Sequence, residues 1–445
     1  MENPTGRVSA VQHLPCELLS EIFLHYAGGG VDTVSTIRMP LLTTQICKEW
    51  RAIAISTPNL WCRLFLSINE RQAASHSELA GTFLARSGSC PLTLYIFWKE
   101  PPYTSSHPVL DIIAQHSHHW YKVSLFLPKR AFPAFSAIKG CLPLLIELSL
   151  QFPSPFGLTM DDFFPDLVLP EMFESAPQLR CFESINLSPY VFRLPWAQLR
   201  RCIMSAAVDE CIDILRRSPN LEECRFTCHL SFYTRPLVMV QLSHLRSISI
   251  MRSTWNSSVD VNHLFEYLTS PLLRSLELYD LQSTLGPQFF SFLSRSPDIE
   301  RLGLRRTSLT DEDVIQCLRA LPSLIHLDIE EQRPGLTINH NLMNQLTCRR
   351  PSSEDGESPY LVPMLTSIRL RHDNHDTTID QVIVDMIQSR WTLDGTTGSR
   401  AQVMRLQSVL FVTIHPINPQ IMSLVDDYKT EGLNIEMERV IKLPR

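Results

Sequence analysis

One apolar phrase returns nine times between residues 143 and 370. It reads Pro, one to three residues, then Leu-x-x-Leu-x-Leu or a close variant. The copies are PLLIELSL (Pro143 to Leu150), PQLRCFES (Pro177 to Ser184), PWAQLRRCIM (Pro195 to Met204), PNLEECRF (Pro219 to Phe226), LSHLRSISI (Leu242 to Ile250), PLLRSLEL (Pro271 to Leu278), PDIERLGL (Pro297 to Leu304), PSLIHLDI (Pro322 to Ile329) and PMLTSIRL (Pro363 to Leu370). Their first apolar anchors are Leu145, Leu179, Leu199, Leu221, Leu245, Leu273, Ile299, Leu324 and Leu365, separated by 34, 20, 22, 24, 28, 26, 25 and 41 residues. Alternation after each anchor predicts a strand with one apolar face. A spacing of ~20–29 residues is that of a stacked repeat, and no single copy can bury its leucines alone.

Helical patterns fill the gaps. VDECIDILRRS (Val208 to Ser218), VNHLFEYLTS (Val261 to Ser270), PQFFSFLSRS (Pro287 to Ser296) and TDEDVIQCLRAL (Thr310 to Leu321) each run up to a proline. Thr310 with Asp313 has the form of a capping box, with Asp where Glu or Gln is usual. Asp311, Glu312 and Asp313 suit the positive end of that helix and need no catalytic role. Prolines placed where helices end explain their number, 31 of 445 residues or about 7.0% against ~5%. Glycine is scarce at 15, about 3.4% against ~7%. The repeats resemble the leucine-rich repeat family, whose fold stacks strand and helix into a parallel sheet on one side and helices on the other. The family's asparagine ladder is missing; LGLRRTSL (Leu302 to Leu309) carries Thr307 where Asn is commoner. The polar insert RRPSSEDGESPY, residues 349–360, accounts for the 41-residue gap. It reads as a flexible loop, or as a segment controlled by phosphorylation.

The N-terminal stretch is different. HLPCELLSEIFLHY (residues 13–26) places Leu18, Leu19, Ile22, Phe23 and Tyr26 at helical spacing behind Leu14-Pro15, and Gly28-Gly29-Gly30 ends the helix. A second segment, residues 40–61, repeats the period through Leu42, Ile46, Trp50 and Ile53, with Cys47 and Ala54 alongside, until Pro58 stops it. Trp61, Leu64 and Phe65 form a third apolar cluster. Two or three short helices bury too little surface to be comfortable alone and gain from a partner helix. The pattern LPxELLxxIF (Leu14 to Phe23) followed by QICKEWRAIAISTPNLW (Gln45 to Trp61) resembles the F-box family, particularly the F-box-like group common in fungi. FLARSGSCPLTLYI (Phe83 to Ile96) and HSHHWYKVSLFL (His116 to Leu127) extend the likeness. The resemblance implies docking on the Skp-type adaptor of a cullin-based ubiquitin ligase through Leu14, Pro15, Leu18, Leu19, Ile22, Phe23, Ile46, Cys47, Trp50 and Arg51. The plain alternative is a helical hairpin packed on its own domain.

The expected fold is thus an α-helical F-box module followed by an α/β leucine-rich-repeat solenoid, with the parallel sheet on the concave side and helices on the convex side. The expected divisions are a disordered N-terminus at 1–10, the helical module at 11–66, a helical connector at 67–89 and the repeat domain at 90–440, its first strand near Pro91.

Other chemistry is thin. Net charge is −6, from 40 basic and 46 acidic residues, with no long basic run, so a nucleic-acid footprint is not expected. No apolar run reaches the ~18 residues of a membrane helix, and MENPTGRVSA lacks the basic and apolar regions of a signal peptide. A cytoplasmic or nuclear protein is expected. Twelve cysteines are dispersed without a CxxC pair; Cys181, Cys202, Cys211, Cys224 and Cys317 fall inside apolar patterns and read as core thiols, with Cys224, Cys228 and His229 the closest cluster. His116, His118 and His119, and the run His372 to Asp376, have metal-like residue types without a second ligand group at fixed spacing. No metal, cofactor or catalytic motif is expected: GxxxxGK[ST], GxSxG, HExxH and GxGxxG do not occur.

In each strand the positions between the leucines face the concave side. They are Ser275/Glu277/Tyr279, Arg301/Gly303/Arg305, His326/Asp328/Glu330 and Ser367/Arg369/Arg371. Stacked in parallel they form alternating basic and acidic rows. The target-binding candidates are Glu277, Tyr279, Arg301, Arg305, His326, Asp328, Glu330, Arg369 and Arg371. A solvated face whose rows merely pair with each other has the same pattern. Taken together, the two resemblances imply a non-catalytic substrate receptor of an SCF-type ubiquitin ligase, with a Skp-type adaptor, through it a cullin, and an unidentified target protein as partners. The alternative is an adaptor-independent leucine-rich-repeat scaffold that binds one protein partner.

Overall fold

The structure, a computed structural model, describes residues 14–28, 33–98, 106–152, 171–185, 189, 193–229, 238–253, 259–282, 285–348, 360–372, 378–392, 403–414, 416 and 418–439. Residues 1–10, the insert over 349–359 and the run from Asp373 to Asp376 lie outside the described residues. The chain forms two compact units, Met1–Leu199 and Arg200–Arg445.

The first unit opens with α1 (Cys16–Gly28), α2 (Thr33–Ile46) and α3 (Lys48–Ile55). Pro15 stands just before α1, and its carbonyl accepts the first helical bond from Leu19 N at 3.1 Å. A proline suits this place because no intrahelical donor is required of it. The single apolar run expected from residue 40 to Pro58 divides in two. Leu42 and Ile46 belong to α2, Trp50 and Ile53 to α3. The break falls at Cys47, whose backbone is extended (φ −150°, ψ 173°) and whose Sγ accepts from Trp50 N at 3.4 Å. A thiol thus does the work of an N-cap, which periodicity alone cannot register. Pro40 lies inside α2, where it supplies no N–H to the helix.

The unit continues with β1 (Arg63–Ser67), α4 (Ala73–Ser87), β2 (Leu92–Phe97), α5 (Pro108–Gln115), β3 (Trp120–Phe126), β4 (Glu147–Gln151) and β5 (Cys181–Ile185). The five strands pair in parallel and in chain order. Strands therefore begin one step before Pro91. In β1, Leu64 and Leu66 are buried and stand opposite Leu94 and Ile96 of β2. Pro58-Asn59-Leu60 leads into β1, and Leu60 N donates to the Thr57 carbonyl at 3.1 Å, but Leu64 follows Leu60 by four positions where the repeat phrase has three.

The second unit contains β6 (Arg201–Ala207), α6 (Val208–Arg217), β7 (Glu223–His229), β8 (Val240–Gln241), β9 (Ser247–Arg252), α7 (Asn262–Tyr267), β10 (Leu268–Thr269), β11 (Ser275–Tyr279), α8 (Pro287–Ser294), β12 (Arg301–Thr307), α9 (Asp311–Ala320), β13 (His326–Glu331), α10 (His340–Leu346), β14 (Ser367–His372), α11 (Thr378–Trp391), β15 (Ser408–Thr413), α12 (Pro419–Thr430) and β16 (Asn434–Arg439). Nine strands form a parallel sheet in chain order, while β8 and β10 pair with each other apart from it. Each helix from α6 to α12 packs on the next. The expected α/β repeat solenoid is what the structure contains.

Register explains the cohesion. Leu276, Leu302, Leu327, Ile368, Val409 and Ile435 stand side by side across six strands, and Leu278, Leu304, Ile329, Leu370 and Phe411 form the next row. All are buried. A slip of one residue would turn every one of them to solvent, so the register is strongly specified. All nine sequence anchors, Leu145 to Leu365, are 0% exposed. The anchor amide closes a turn onto the residue three before it, as in Leu221 to Ser218, Leu273 to Ser270, Leu324 to Leu321 and Leu365 to Val362, each at 3.2 Å. Pro219, Pro271, Pro322 and Pro363 occupy the second turn position, where a fixed φ favours the bend.

Smaller expectations also resolve. Thr310 caps α9 reciprocally: its Oγ1 accepts from Asp313 N at 3.2 Å and Asp313 Oδ2 accepts from Thr310 N at 2.9 Å. Cys202, Cys211, Cys224, Cys228 and Cys317 are buried, and burial pushes the Cys202 thiol up to about 12. Cys181 departs from its core assignment: it starts β5 on the opposite face and is half-buried. The two sides of the polar insert are held by Arg390, which is fully buried. Its Nε donates to the Leu346 carbonyl at 2.7 Å, and its Nη2 and Nη1 donate to those of Leu361 and Val362 at 2.7 and 3.3 Å.

Adjacent leucines provide a test of the anchor assignment. Leu272 is 50% exposed and Leu273 is fully buried. Leu273→Ala should lower the unfolding free energy of the second unit by about 2–5 kcal/mol, and Leu272→Ala by under about 0.5 kcal/mol, in denaturant titration.

Candidate docking and recognition surfaces

The first surface belongs to α1 to α3. Leu19 and Phe23 are buried, and the Phe23 and Trp50 rings lie 4.8 Å apart at 54°. Ser20 and Thr57 hydroxyls meet at 3.2 Å, and Arg51 Nε donates to the Thr44 carbonyl at 2.6 Å, joining the start of α3 to the end of α2. Trp61 is buried and donates from Nε1 to the Ala54 carbonyl at 2.7 Å. These side chains hold the module together.

The ten residues proposed for adaptor contact therefore separate into two groups. Leu19 and Phe23 point inward and are corrected to interior residues; Trp50 is half-buried against Phe23. Pro15, Leu18, Ile22, Ile46, Cys47 and Arg51 are exposed, and Leu14 is half-buried. Helical spacing cannot make this division, because α1 is apolar on both sides. On its outer side Leu18, Ile22 and Tyr26 are 51%, 49% and 66% exposed, one turn apart. On α2, Leu42 and Ile46 are 50% and 59% exposed. With Ile55, these make six of the fifteen large exposed apolar side chains among the described residues, gathered within 40 positions. Tyr26 and Leu42 belong to this surface although the family pattern does not mark them.

The second surface is the helix-free face of the nine-stranded sheet. Every target-binding candidate lies on it. Glu277, Gly303, Asp328 and Arg369 share one row; Tyr279, Arg305, Glu330 and Arg371 share the next; Arg301 and His326 stand in a third. The sign alternates from strand to strand, acidic on β11 and β13 and basic on β12 and β14, so each row across the strands is mixed. Arg305 donates to Asp328 from Nε at 2.9 Å and also from Nη2, and its guanidinium lies 5.0 Å from the centre of the Tyr279 ring. Arg369 approaches Asp328 at 3.9 Å and Arg371 approaches Glu330 at 3.4 Å. Tyr279 Oη donates to Glu277 Oε2 at 2.6 Å. Burial, and then that bond to a carboxylate, push the Tyr279 phenol up to about 12, so it remains a neutral donor. Burial, and then the nearby Arg301, hold the His326 imidazole below its usual range.

The face also has a depression of about 450 Å3 over β7, β9, β11 and β12. Its floor is made by short side chains, Ser247, Ser249 and Ser275. The β7 and β9 strands were not among the sequence candidates, yet the signal was present in ECR and SIS, whose outward positions are Glu223, Arg225, Ser247 and Ser249. Gly303 permits close packing beside it: a Cβ there would meet Glu277 Cγ at 3.3 Å. No group of three His, Cys, Asp or Glu side chains that could hold a metal ion occurs among the described residues, and no described helix is long and apolar enough to cross a membrane.

Partial burial should separate structural from ornamental pairs on this face. Arg305 and Asp328 are 29% and 20% exposed, whereas Arg200 and Glu222, 2.9 Å apart, are 61% and 46% exposed. Double-mutant cycles to alanine should give a coupling of about 1–2 kcal/mol for the first pair and under about 0.5 kcal/mol for the second.

No known family model and no curated protein matches the chain. Solved structures similar to it include the complex of Rad7 and Elc1 in yeast, at 15% identity over 94% of this chain and 92% of that one with a TM-score of 0.41. A protein from Bacteroides fragilis is similar at 11% identity over 68% of each chain with a TM-score of 0.34.

Proposed function

We propose that this chain is a non-catalytic substrate receptor of an SCF-type ubiquitin ligase. In this reading α1 to α3 dock on a Skp-type adaptor, through it on a cullin, and the helix-free face of the second unit holds the target protein. The protein works in the cytoplasm, the nucleus or both. The observation that carries the reading is the exposed apolar stripe of Leu18, Ile22 and Tyr26, with Leu42 and Ile46 on the neighbouring helix. Exposed apolar side chains concentrated on so small a module mark a docking surface, and Leu18, Ile22 and Ile46 fall within the sequence pattern that resembles the F-box. The paired rows of the sheet suit a different task. They present many fixed charges and hydrogen-bonding groups on a rigid scaffold, which favours selection of a partner over tight burial.

The contribution to degradation is positional. Holding a target beside the ligase raises its effective concentration at the transfer site, with no reacting group supplied by this chain. The exposed and buried halves of α1 make the test clean. Leu18→Asp with Ile22→Asp alters only outward positions and should weaken co-purification with a Skp-type adaptor at least ~100-fold, with the thermal midpoint nearly unchanged. Phe23→Ala should instead lower the midpoint, because it empties the site packed by Trp50. Undiminished adaptor binding by the double variant would sink the docking assignment. An intact wild-type chain that binds no adaptor would leave the adaptor-independent scaffold.

A further inference from the structure

The depression on the second unit has a composition that follows from register. Glu223, Ser247, Ser275 and Arg301 form one row across β7, β9, β11 and β12, and Arg225, Ser249, Glu277 and Gly303 form the adjoining row. Ser247 and Ser275 hold the centre of the first row, Ser249 and Glu277 that of the second, and Arg225 and Arg301 stand at diagonally opposite ends. Strands about 4.8 Å apart and rows about 6.7 Å apart make the serine floor wide enough for one side chain of a visiting peptide.

Charge decides what that side chain is. The carboxylates around the floor already have partners. Glu223 faces Arg201 at 3.4 Å, Glu300 binds Arg274, and Glu277 accepts from the Tyr279 hydroxyl. Three arginines line the depression with the three glutamates, but only Arg274 pairs with one of them. Arg225 and Arg301 line the depression and Arg246 lies just before its Ser247; none of the three has an ion pair or a side-chain hydrogen bond among the described residues. All three are exposed. Each guanidinium offers five donors and no acceptor, and each serine adds a hydroxyl. An incoming cation would have to displace an internal partner. An incoming oxyanion meets donors that are free.

We propose that this depression receives one acidic side chain, a carboxylate or a phosphoryl group, of an extended peptide segment of the target protein. Arg225 and Arg301 would bind the oxyanion from opposite ends of the serine floor. This rests on the reading that the helix-free face of the second unit is the target surface, and it names the chemistry that the surface selects. Charge-assisted hydrogen bonds to an arginine fork are among the stronger polar contacts, so loss of either arginine should be measurable.

The test uses the intact chain and three pools of short peptides, randomised except for a central phosphoserine, glutamate or serine. Retention of the phosphoserine or glutamate pool should exceed that of the serine pool by about tenfold and fall with added salt. Phosphoserine above glutamate identifies a phosphoryl group; equal retention identifies any oxyanion. Arg225→Ala with Arg301→Ala should abolish the preference, and Arg319→Ala, on the exposed end of α9, should leave it unchanged. Retention of all pools alike, retention of none, or a preference that survives the double variant would overturn the proposal. A preference that survives it but disappears in Arg369→Ala with Arg371→Ala would place the acid elsewhere on the same face, overturning this site and leaving the proposed function intact. Adaptor binding measured on the same samples separates the two ideas: a preference for acid without adaptor binding removes the ligase role and keeps the acid site.

Discussion

A parallel strand with one apolar face is unstable alone, and this chain repeats that instability along its length. Each strand needs the backbone of its neighbour for hydrogen bonds and the leucines of its neighbour for burial. Both needs are met only in one register, with Leu276 beside Leu302 beside Leu327 beside Ile368. The fully buried anchors and the turns at Ser218, Ser270 and Leu321 fix where each strand starts. The helix-free face is a by-product of this inner packing. Its side chains are held in rows because the leucines beneath them are.

Those rows are only partly self-satisfied. Tyr279, Arg305, Asp328 and Arg369 interlock, and their partial burial strengthens the contacts over those of fully solvated pairs. A few strands away, serines replace long side chains, and Arg225 and Arg301 have no ion pair or side-chain hydrogen bond among the described residues. The same sheet therefore carries a region stiffened by internal pairing and a region with donors still available. That difference, and not the number of charges, distinguishes a candidate binding site from a solvated face.

The helical module follows a different logic. Its few helices enclose only a small interior, centred on Phe23, Trp50, Ala54 and Trp61. The remaining apolar side chains have nowhere inward to go. Leu18, Ile22, Tyr26, Leu42 and Ile46 stay outside because two neighbouring helices cannot cover every face of one another. A module of this kind is stable enough to fold and still presents apolar surface to a partner.

Much of the repeat fold is legible in the residues themselves. The nine repeat phrases, eight of them led by proline, correspond to β4–β7, β9 and β11–β14, and the helical patterns from Val208 to Leu321 correspond to α6–α9. The reason is periodicity: an apolar period of two and one of about 3.6 are strong local signals, and each repeat restates them. Among the strands outside the nine phrases, β1, β15 and β16 are recognised only by their pairing; Val409 and Ile435 complete rows begun far earlier in the chain. At the N-terminus the sequence determined that Leu18, Leu19, Ile22 and Phe23 share a helix. Only the tertiary structure decided that Leu19 and Phe23 face Trp50 while Leu18 and Ile22 face solvent, because a helix apolar on two sides takes its inner side from what packs against it. The same holds on the sheet. Sequence determined that Arg301 and Arg305 point outward; tertiary structure decided that Arg305 is bound to Asp328 while Arg301 has no ion pair or side-chain hydrogen bond among the described residues, because pairing depends on which strands become neighbours.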